Sequence, residues 1–401
     1  MSSPQRLCLY LVLACLVVAL LVCAGCPPAP TTENAVPGTA PAKPGGAPLK
    51  IGAIFSVTGT AGAPLGEPEK MTVQMLADQI NAKGGINGRP LEVTIEDDTS
   101  DATAAATAAK KLLDAKVCVV IGPTLSGTSL AIVDTFEKAQ IPLVSCAASI
   151  KITQPVKKWV FSTAQPDTLA VAKLMEYLKA KKLAKIAVVY DSNPFGKSGN
   201  EVLAKQAPEA GIKIVAAESF ESKDTDMTAQ LTKCKAAGPE AIVCWGTNPG
   251  PAGVAKNMKT LKMTIPLLMS HGVANGKFLE LAGDAANGVV LPAGKLILAD
   301  ARPESDPQKA ILTGFAKDFT GKYSKPANTF GGHAWDAFQM VVKAMQTAGD
   351  DPVKLRDALE ATTKFVGISG LFNMSATDHN GLTKDAFEMV TVKDGKWAAA
   401  S

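Results

Sequence analysis

Short apolar runs alternate with longer amphipathic segments from residue 49 onward. Runs of five to seven apolar residues bounded by glycine, proline or polar residues are typical of buried strands, and apolar positions repeating every three to four residues are typical of helices. Strands are predicted at 49–55, 91–96, 117–121, 186–190, 213–219, 241–245 and 266–269. Strands that alternate with helices of about ten or more residues predict parallel sheets joined by right-handed crossovers, and therefore an α/β fold.

The alternation stops after Gly288. The pattern then predicts helices at 307–323, 330–348 and 352–362, and an antiparallel pair formed by 370–374 and 387–393. A chain of 401 residues is long for one domain, so two are expected. Helices that follow a second set of strands suggest that the chain returns to its first domain.

Composition narrows the class of protein. Hydrophobic residues make up 47% and charged residues 19% of the chain, which is ordinary for a globular protein. The formal net charge of +4 is spread along the sequence, and only 5% of residues are aromatic. Because basic and aromatic residues are not interleaved, no nucleic-acid partner is predicted.

The N-terminal segment has the pattern of an export signal. Arg6 precedes an apolar run at 7–22, which is short for a membrane span, and we predict a signal peptide at 1–25. The run ends in Cys23-Ala-Gly-Cys26, which resembles the signal for lipidation of Cys26, although Cys23 stands where leucine is usual. Cleavage by an ordinary signal peptidase is the alternative. Residues 26–48 are rich in proline and alanine and predict an extended tether.

The stretch from Val117 to Ala131 carries the clearest binding pattern. An apolar strand ends at Gly122-Pro123, and a small polar loop containing Ser126 opens a helix. The first amides of a helix lack internal partners and attract anions, so this loop is a candidate carboxylate or phosphate site. A second strand ends at Ser149, and the two strand ends should meet at one sheet edge. The alternative is that Ser126 only caps the helix.

The sequence lacks the motifs that commonly mark an enzyme active site. The loop at 122–129 has Thr128 where a phosphate-binding P-loop has lysine, and neither a Gly-x-Gly-x-x-Gly nor a Gly-x-Ser-x-Gly motif is present. The chain has three histidines, and no spacing suggests a metal site. Four cysteines outside the leader are predicted to be buried free thiols: Cys118, Cys146, Cys234 and Cys244. We therefore expect a binding protein with no cofactor or metal, and not an enzyme.

Several motifs resemble the leucine/isoleucine/valine-binding family of periplasmic substrate-binding proteins. They are 80–98 (INAKGGINGRPLEVTIEDD), 141–149 (IPLVSCAAS), 191–196 (DSNPFG), 272–275 (GVAN), 367–370 (GISG) and 394–397 (DGKW). The resemblance covers about 49–397. It implies a two-lobe type I clamshell, each lobe a parallel sheet flanked by helices, with three crossovers. The first lobe would comprise 49–163 and 294–364, and the second 164–293 and 365–401.

The same resemblance implies the site and the partners. Ligand would bind between the lobes, with its carboxylate and ammonium held at Ser126, Ala147, Ala148 and Ser149, and with Phe195 covering it. Further candidates are Leu65, Asn248, His271 and Phe330. Such a protein is expected to be a periplasmic monomer, lipid-anchored to a membrane through Cys26, that delivers an amino acid or related small carboxylate to an ABC permease. A ligand sensor for a membrane receptor is the alternative.

One position departs from the family pattern. Amino-acid binders carry a glutamate for the ligand ammonium just before Gly-Val-Ala-Asn, and this chain has His271. A buried ammonium group without a counter-charge is unfavourable. The ligand is therefore predicted to be an aromatic or branched carboxylic acid without an amino group, or an amide. The alternatives are that Asp224 supplies the charge, or that the alignment is shifted by one residue.

Overall fold

The computed structural model describes residues 45–400. The predicted signal peptide, Cys26 and most of the tether lie outside these described residues. Within them, the chain forms two lobes, each built around its own sheet. No helix in the described part of the chain combines the length and apolar character that crossing a bilayer requires.

The first sheet has five parallel strands in the order β2-β1-β3-β4-β5. Its strands are β1 (Leu49–Phe55), β2 (Leu91–Asp97), β3 (Val119–Ile121), β4 (Leu143–Ser145) and β5 (Val160–Ser162). Helices α1 (Ala63–Ala82), α2 (Ala102–Asp114) and α3 (Ser126–Ala139) connect them. Strands such as β3 and β4 are buried along their whole length, because helices cover both faces of a parallel sheet.

The second sheet has seven strands in the order β14-β13-β10-β9-β8-β6-β7. Its strands are β6 (Lys185–Asp191), β7 (Lys213–Phe220), β8 (Ala241–Trp245), β9 (Leu267–Met269), β10 (Val290–Gly294), β13 (Phe387–Lys393) and β14 (Lys396–Ala399). The first five strands run parallel, and β13 and β14 add an antiparallel edge. Helices α4 (Asp167–Ala180), α5 (Pro194–Glu209), α6 (Thr228–Ala236), α7 (Gly250–Thr260) and α8 (Gly276–Ala282) accompany this sheet.

The chain passes between the lobes three times, as predicted. It leaves the first sheet after β5 and leaves the second after β10. Helices α9 (Lys309–Tyr323), α10 (Thr329–Ala348) and α11 (Pro352–Glu360) then pack on the first lobe, where Phe338 and Val341 share a core with strand β1. The third passage leads into β13. The predicted α/β two-lobe architecture is confirmed.

Two details at the C-terminal end were predicted wrongly. Segment 365–386, assigned to the second lobe, contributes Ile368, Phe372 and Met374 to the core of the first lobe. The chain joins the second sheet only at Phe387. Strand β12 (Leu371–Phe372) pairs with β11 (Phe365–Val366), so the predicted pairing of 370–374 with 387–393 does not form. Apolar alternation predicts a strand but not its partner, which long-range packing selects.

Candidate functional site

A cleft with a volume of about 780 Å³ lies between the carboxyl ends of the two sheets. Loops that follow β1, β2, β3 and β4 line it from the first lobe, and loops that follow β6, β7, β8 and β9 line it from the second. Ligands of open α/β sheets bind outside the carboxyl ends of the strands. A cleft of this size between two such edges is suited to a small molecule.

Close backbone packing shapes the loops on both sides of the cleft. Gly122 ends the first-lobe strand β3 with φ +92°, and a Cβ there would lie 2.0 Å from the Ile54 carbonyl oxygen. Across the cleft, a Cβ on Gly196 would lie 1.9 Å from the Asp191 carbonyl oxygen. Only glycine fits at either position: Gly122 lies between β3 and α3, and Gly196 lies in the first turn of α5, close against the end of β6.

Helix α3 points its N-terminus at the cleft without a side-chain cap. Its N-cap is Leu125, and no side chain accepts a hydrogen bond from its first amides. Ser126 is the first helical residue, and its Oγ accepts a hydrogen bond from the Ser149 amide at 3.2 Å. Ser126 is therefore not the helix cap. The first amides of α3 therefore have no side-chain partner, and uncapped helix N-termini of this kind attract anions.

Seven of the nine predicted ligand-binding residues line the cleft. They are Leu65, Ser126, Ala147, Ala148, Phe195, His271 and Phe330. Ser149 and Asn248 are buried but do not line it. The Oγ of Ser149 donates instead to the Oγ of Ser198 at 2.7 Å, which links the first lobe to the second.

Asn248 lies between two lining residues, Thr247 and Pro249. Its own side chain is buried, and neither its Oδ1 nor its Nδ2 has a hydrogen-bond partner. Asp224, the alternative source of a negative charge, does not line the cleft, although Lys223 and Thr225 do. The Asp224 carboxylate accepts a hydrogen bond from the Glu221 amide.

His271 lies in an aromatic pocket at the second-lobe side of the cleft. Ring centroids of Phe195, Trp245 and Phe387 lie 5.6, 6.0 and 5.2 Å from its imidazole, all edge-on. Only 6% of the residue is exposed, and neither ring nitrogen has a hydrogen-bond partner. Burial lowers the pKa of His271 to about 4. The nearby backbone of Gln165 offsets part of this lowering, although it does not form a hydrogen bond of good geometry with the imidazole. The imidazole is therefore neutral at pH 7.

A second imidazole, His333, faces the cleft from helix α10. Its Nδ1 lies 2.8 Å from the Ser369 Oγ, and its ring meets Phe330 edge-on at 5.8 Å. Burial, and secondarily His271, lower the pKa of His333 to about 3. His333 was not among the ligand-binding residues predicted from the sequence. Its place in the cleft depends on α10 returning to the first lobe, which the local pattern does not encode.

Other lining residues could have been found from the strand ends. Residues 99–102 follow β2 and residues 222–225 follow β7, and both segments contribute to the cleft. The four cysteines among residues 45–400 are buried and free, as predicted. Residues 45–400 contain no group of three or more His, Cys, Asp or Glu side chains that could hold a metal ion.

Two α/β lobes with a cleft between their facing strand ends define the architecture of a solute-binding protein. A sequence model of the periplasmic binding protein family matches residues 48–396, and the chain belongs to this family. The resemblance drawn from the sequence motifs is thereby confirmed. Members of the family bind solutes.

Relatives and solved structures agree with this assignment. The chain is similar to the leucine-, isoleucine-, valine-, threonine- and alanine-binding protein of Pseudomonas aeruginosa, with 28% identity over 77% of this chain and 80% of that protein. An extracellular ligand-binding receptor from Rhodopseudomonas palustris HaA2 superposes with TM-score 0.83 at 26% identity, covering 88% of this chain and all of that one. The branched-chain amino acid substrate-binding protein LivJ of Streptococcus pneumoniae, in complex with isoleucine, gives TM-score 0.78 at 28% identity, with 88% and 99% covered.

Proposed function

We propose that this protein is the extracytoplasmic solute receptor of an ABC importer and binds a small carboxylate between its lobes. The observation that carries the proposal is the uncapped N-terminus of α3 in the interlobe cleft, beside Ser126. Named relatives that bind branched-chain amino acids support a ligand of this size that carries a carboxylate. The ligand carboxylate would accept hydrogen bonds from the α3 amides and the Ser126 hydroxyl.

Seven residues are proposed to contact the ligand because they line the cleft: Leu65, Ser126, Ala147, Ala148, Phe195, His271 and Phe330. Ser149 is proposed to act indirectly, by fixing the Ser126 hydroxyl through its amide. Two bodies are proposed to move relative to each other. One comprises residues 49–162 and 309–386, and the other comprises residues 185–294 and 387–399. Hinge closure of this kind buries the ligand from both sides.

Thermal unfolding of the purified protein with a panel of branched-chain amino acids, keto acids and benzoate-like acids tests the proposal. Only binding to the folded state raises the unfolding midpoint, so a shift identifies a ligand class. Ser126→Ala should weaken binding about tenfold or more, since a hydrogen bond to a charged group contributes ~1.5–3 kcal/mol. Ser129→Ala is the matched control, because Ser129 is buried on the same helix but does not line the cleft.

A panel without any shift would contradict the proposal, as would equal loss of affinity in the two serine variants. Delivery to a permease is tested separately, by ligand-dependent stimulation of ATP hydrolysis in liposomes that contain a candidate ABC permease from the same organism. Ligand binding without stimulation would favour the alternative role as a ligand sensor for a membrane receptor.

Lipid anchoring through Cys26 is part of the proposed function. The protein should partition with membranes and carry acyl chains detectable by mass spectrometry of its N-terminal peptide. Cys26→Ser should release it into the soluble extracytoplasmic fraction, where light scattering should give the mass of a monomer. Release of the unsubstituted protein would instead indicate cleavage by an ordinary signal peptidase.

A further inference from the structure

The interior of the interlobe cleft offers no negative charge among the described residues. Its titratable lining residues are Asp101, Cys146, Lys223, His271 and His333. Asp101 and Lys223 are exposed at the rim, and the Asp101 carboxylate already caps helix α2 by accepting from the Thr103 and Ala104 amides. Burial raises the pKa of the Cys146 thiol, so it stays neutral.

Three buried carboxyl groups lie behind the wall of the cleft, each hydrogen-bonded to a residue that lines it: Glu69, Asp98 and Asp191. The Glu69 side chain is fully buried and is hydrogen-bonded to the hydroxyl of Thr124, which does line the cleft. Glu69 itself does not line it. Burial raises the pKa of all three carboxyl groups, and none of them lines the cleft, so none is placed to contact a cation there.

His271 provides the unused polar groups inside the cleft. A neutral imidazole has one N–H donor and one acceptor nitrogen, and both are buried here without a protein partner. Buried polar groups normally form hydrogen bonds. Two imidazole nitrogens without a partner at the surface of a cleft therefore point to a ligand that hydrogen-bonds to at least one of them. The imidazole is surrounded by the aromatic rings of Phe195, Trp245 and Phe387. This apolar environment favours an uncharged ligand group beside it.

We propose that the ligand combines one carboxylate, held at the N-terminus of α3, with an apolar body and an uncharged second polar group, a hydroxyl or carbonyl, hydrogen-bonded to His271. This inference rests on the proposed function and specifies its substrate class. An amino acid would instead bury an ammonium group against a neutral imidazole and aromatic edges. That arrangement is unfavourable, because no lining side chain inside the rim supplies a negative charge to replace the lost water.

Isothermal titration with matched pairs of acids tests the assignment. The first pairs compare leucine with 2-hydroxy-4-methylpentanoate and 4-methyl-2-oxopentanoate, which share one carbon skeleton. The second pair compares 4-(aminomethyl)benzoate with 4-(hydroxymethyl)benzoate, in which the second group lies at the far end. In at least one of these sets the uncharged member should bind at least tenfold more tightly than its ammonium counterpart.

Each other outcome overturns the inference in a distinguishable way. Measurable binding of these acids, with no set in which the uncharged member binds at least tenfold more tightly than its ammonium counterpart, would refute the inference and leave the proposed carboxylate receptor intact. No binding of any acid, at concentrations where the protein is folded, would refute both. Loss of an amino-acid ligand in Glu69→Gln would identify Glu69 as a hidden counter-charge and would also refute it.

Two substitutions at His271 provide the second measurement. His271→Glu places a carboxylate where the ammonium of an amino acid would lie, so the preference should shift toward leucine by at least tenfold. His271→Gln keeps an uncharged donor and acceptor and should keep the original preference. Circular dichroism checks that both variants fold, and the comparison of ligands on the unsubstituted protein decides the matter even if His271→Glu does not fold.

Discussion

A buried hydrogen-bond chain joins the two lobes beside the cleft, and its removal gives the sharpest test of how they are coupled. The Oγ of Ser149, after β4 of the first lobe, donates to the Oγ of Ser198 on α5 of the second lobe at 2.7 Å. Ser198 in turn donates to the Asp167 carboxylate, which also accepts from the Ile150 amide at 3.2 Å. Ser198→Ala removes the central group.

The expected magnitude follows from the two bonds lost. The neutral Ser149–Ser198 bond contributes ~1 kcal/mol, and the Ser198 bond to a buried carboxylate contributes ~1.5–3 kcal/mol. Burial raises the pKa of Asp167 to about 6, so this group is mostly ionised at pH 7. We expect the free energy of unfolding to fall by ~2–4 kcal/mol. If only the closed form makes the interlobe bond, its loss of ~1 kcal/mol should raise the ligand Kd about fivefold.

Chemical denaturation measures the first effect, and titration with the most strongly stabilising acid of the panel measures the second. Ser129→Ala is again the control, since its Oγ lies 2.8 Å from the Ser145 Oγ in a buried pair confined to the first lobe. This control should lower stability but leave Kd unchanged. An unchanged Kd in Ser198→Ala, or an equal rise in the control, would refute the idea that this chain couples lobe closure to binding.

Three further predictions concern packing and pH. Gly199→Ala should destabilise the second lobe by ~1–3 kcal/mol in chemical denaturation, because its Cβ would lie 2.1 Å from the Trp245 Nε1 in a filled core; unchanged stability would contradict this packing. Burial raises the pKa of Asp336 to about 7, so its contribution to stability is full below the unfolded-state pKa near 4 and is lost as pH rises through about 7. Asp336→Asn should therefore flatten the decline in stability from pH 5 to 8, and parallel curves would disprove the shift. The pKa of His271 is lowered instead, so its contribution is full above about 6.5 and is lost as pH falls toward about 4. His271→Gln should accordingly lose less stability than the unsubstituted protein between pH 7 and 5, whereas an equal or greater loss would show that His271 is not buried as a neutral imidazole.

The sequence was most informative where burial is dictated locally. Strands such as β3 and β4 are enclosed on both faces, so their apolar runs and the glycine and proline that end them could be recognised directly. The rule that ligands lie at strand ends then placed Ser126 at the cleft, the family resemblance added Ala147, and the structure brings both into its lining. Applied to every strand, the same rule would have found the loops after β2 and β7.

The failures share a different cause. Ser149 follows a strand end as Ser126 does, yet its hydroxyl turns to Ser198, a residue of the other lobe. Segment 365–386 has an ambiguous pattern of short apolar runs, and its place in the first-lobe core depends on contacts with α10 and α11. Neither outcome has a local signal, because both depend on residues far away in the sequence.

The sequence by itself determined the alternation of strands and helices, the two lobes and the loops that end strands, because apolar periodicity and turn residues act over a few positions. It also showed that a histidine stands where an acid was expected. Only the tertiary structure decided that His271 is enclosed by three aromatic rings with both nitrogens unpaired, and that His333 joins it in the cleft. The charge state of each imidazole depends on how completely the fold removes it from water, and that is set by packing between distant segments.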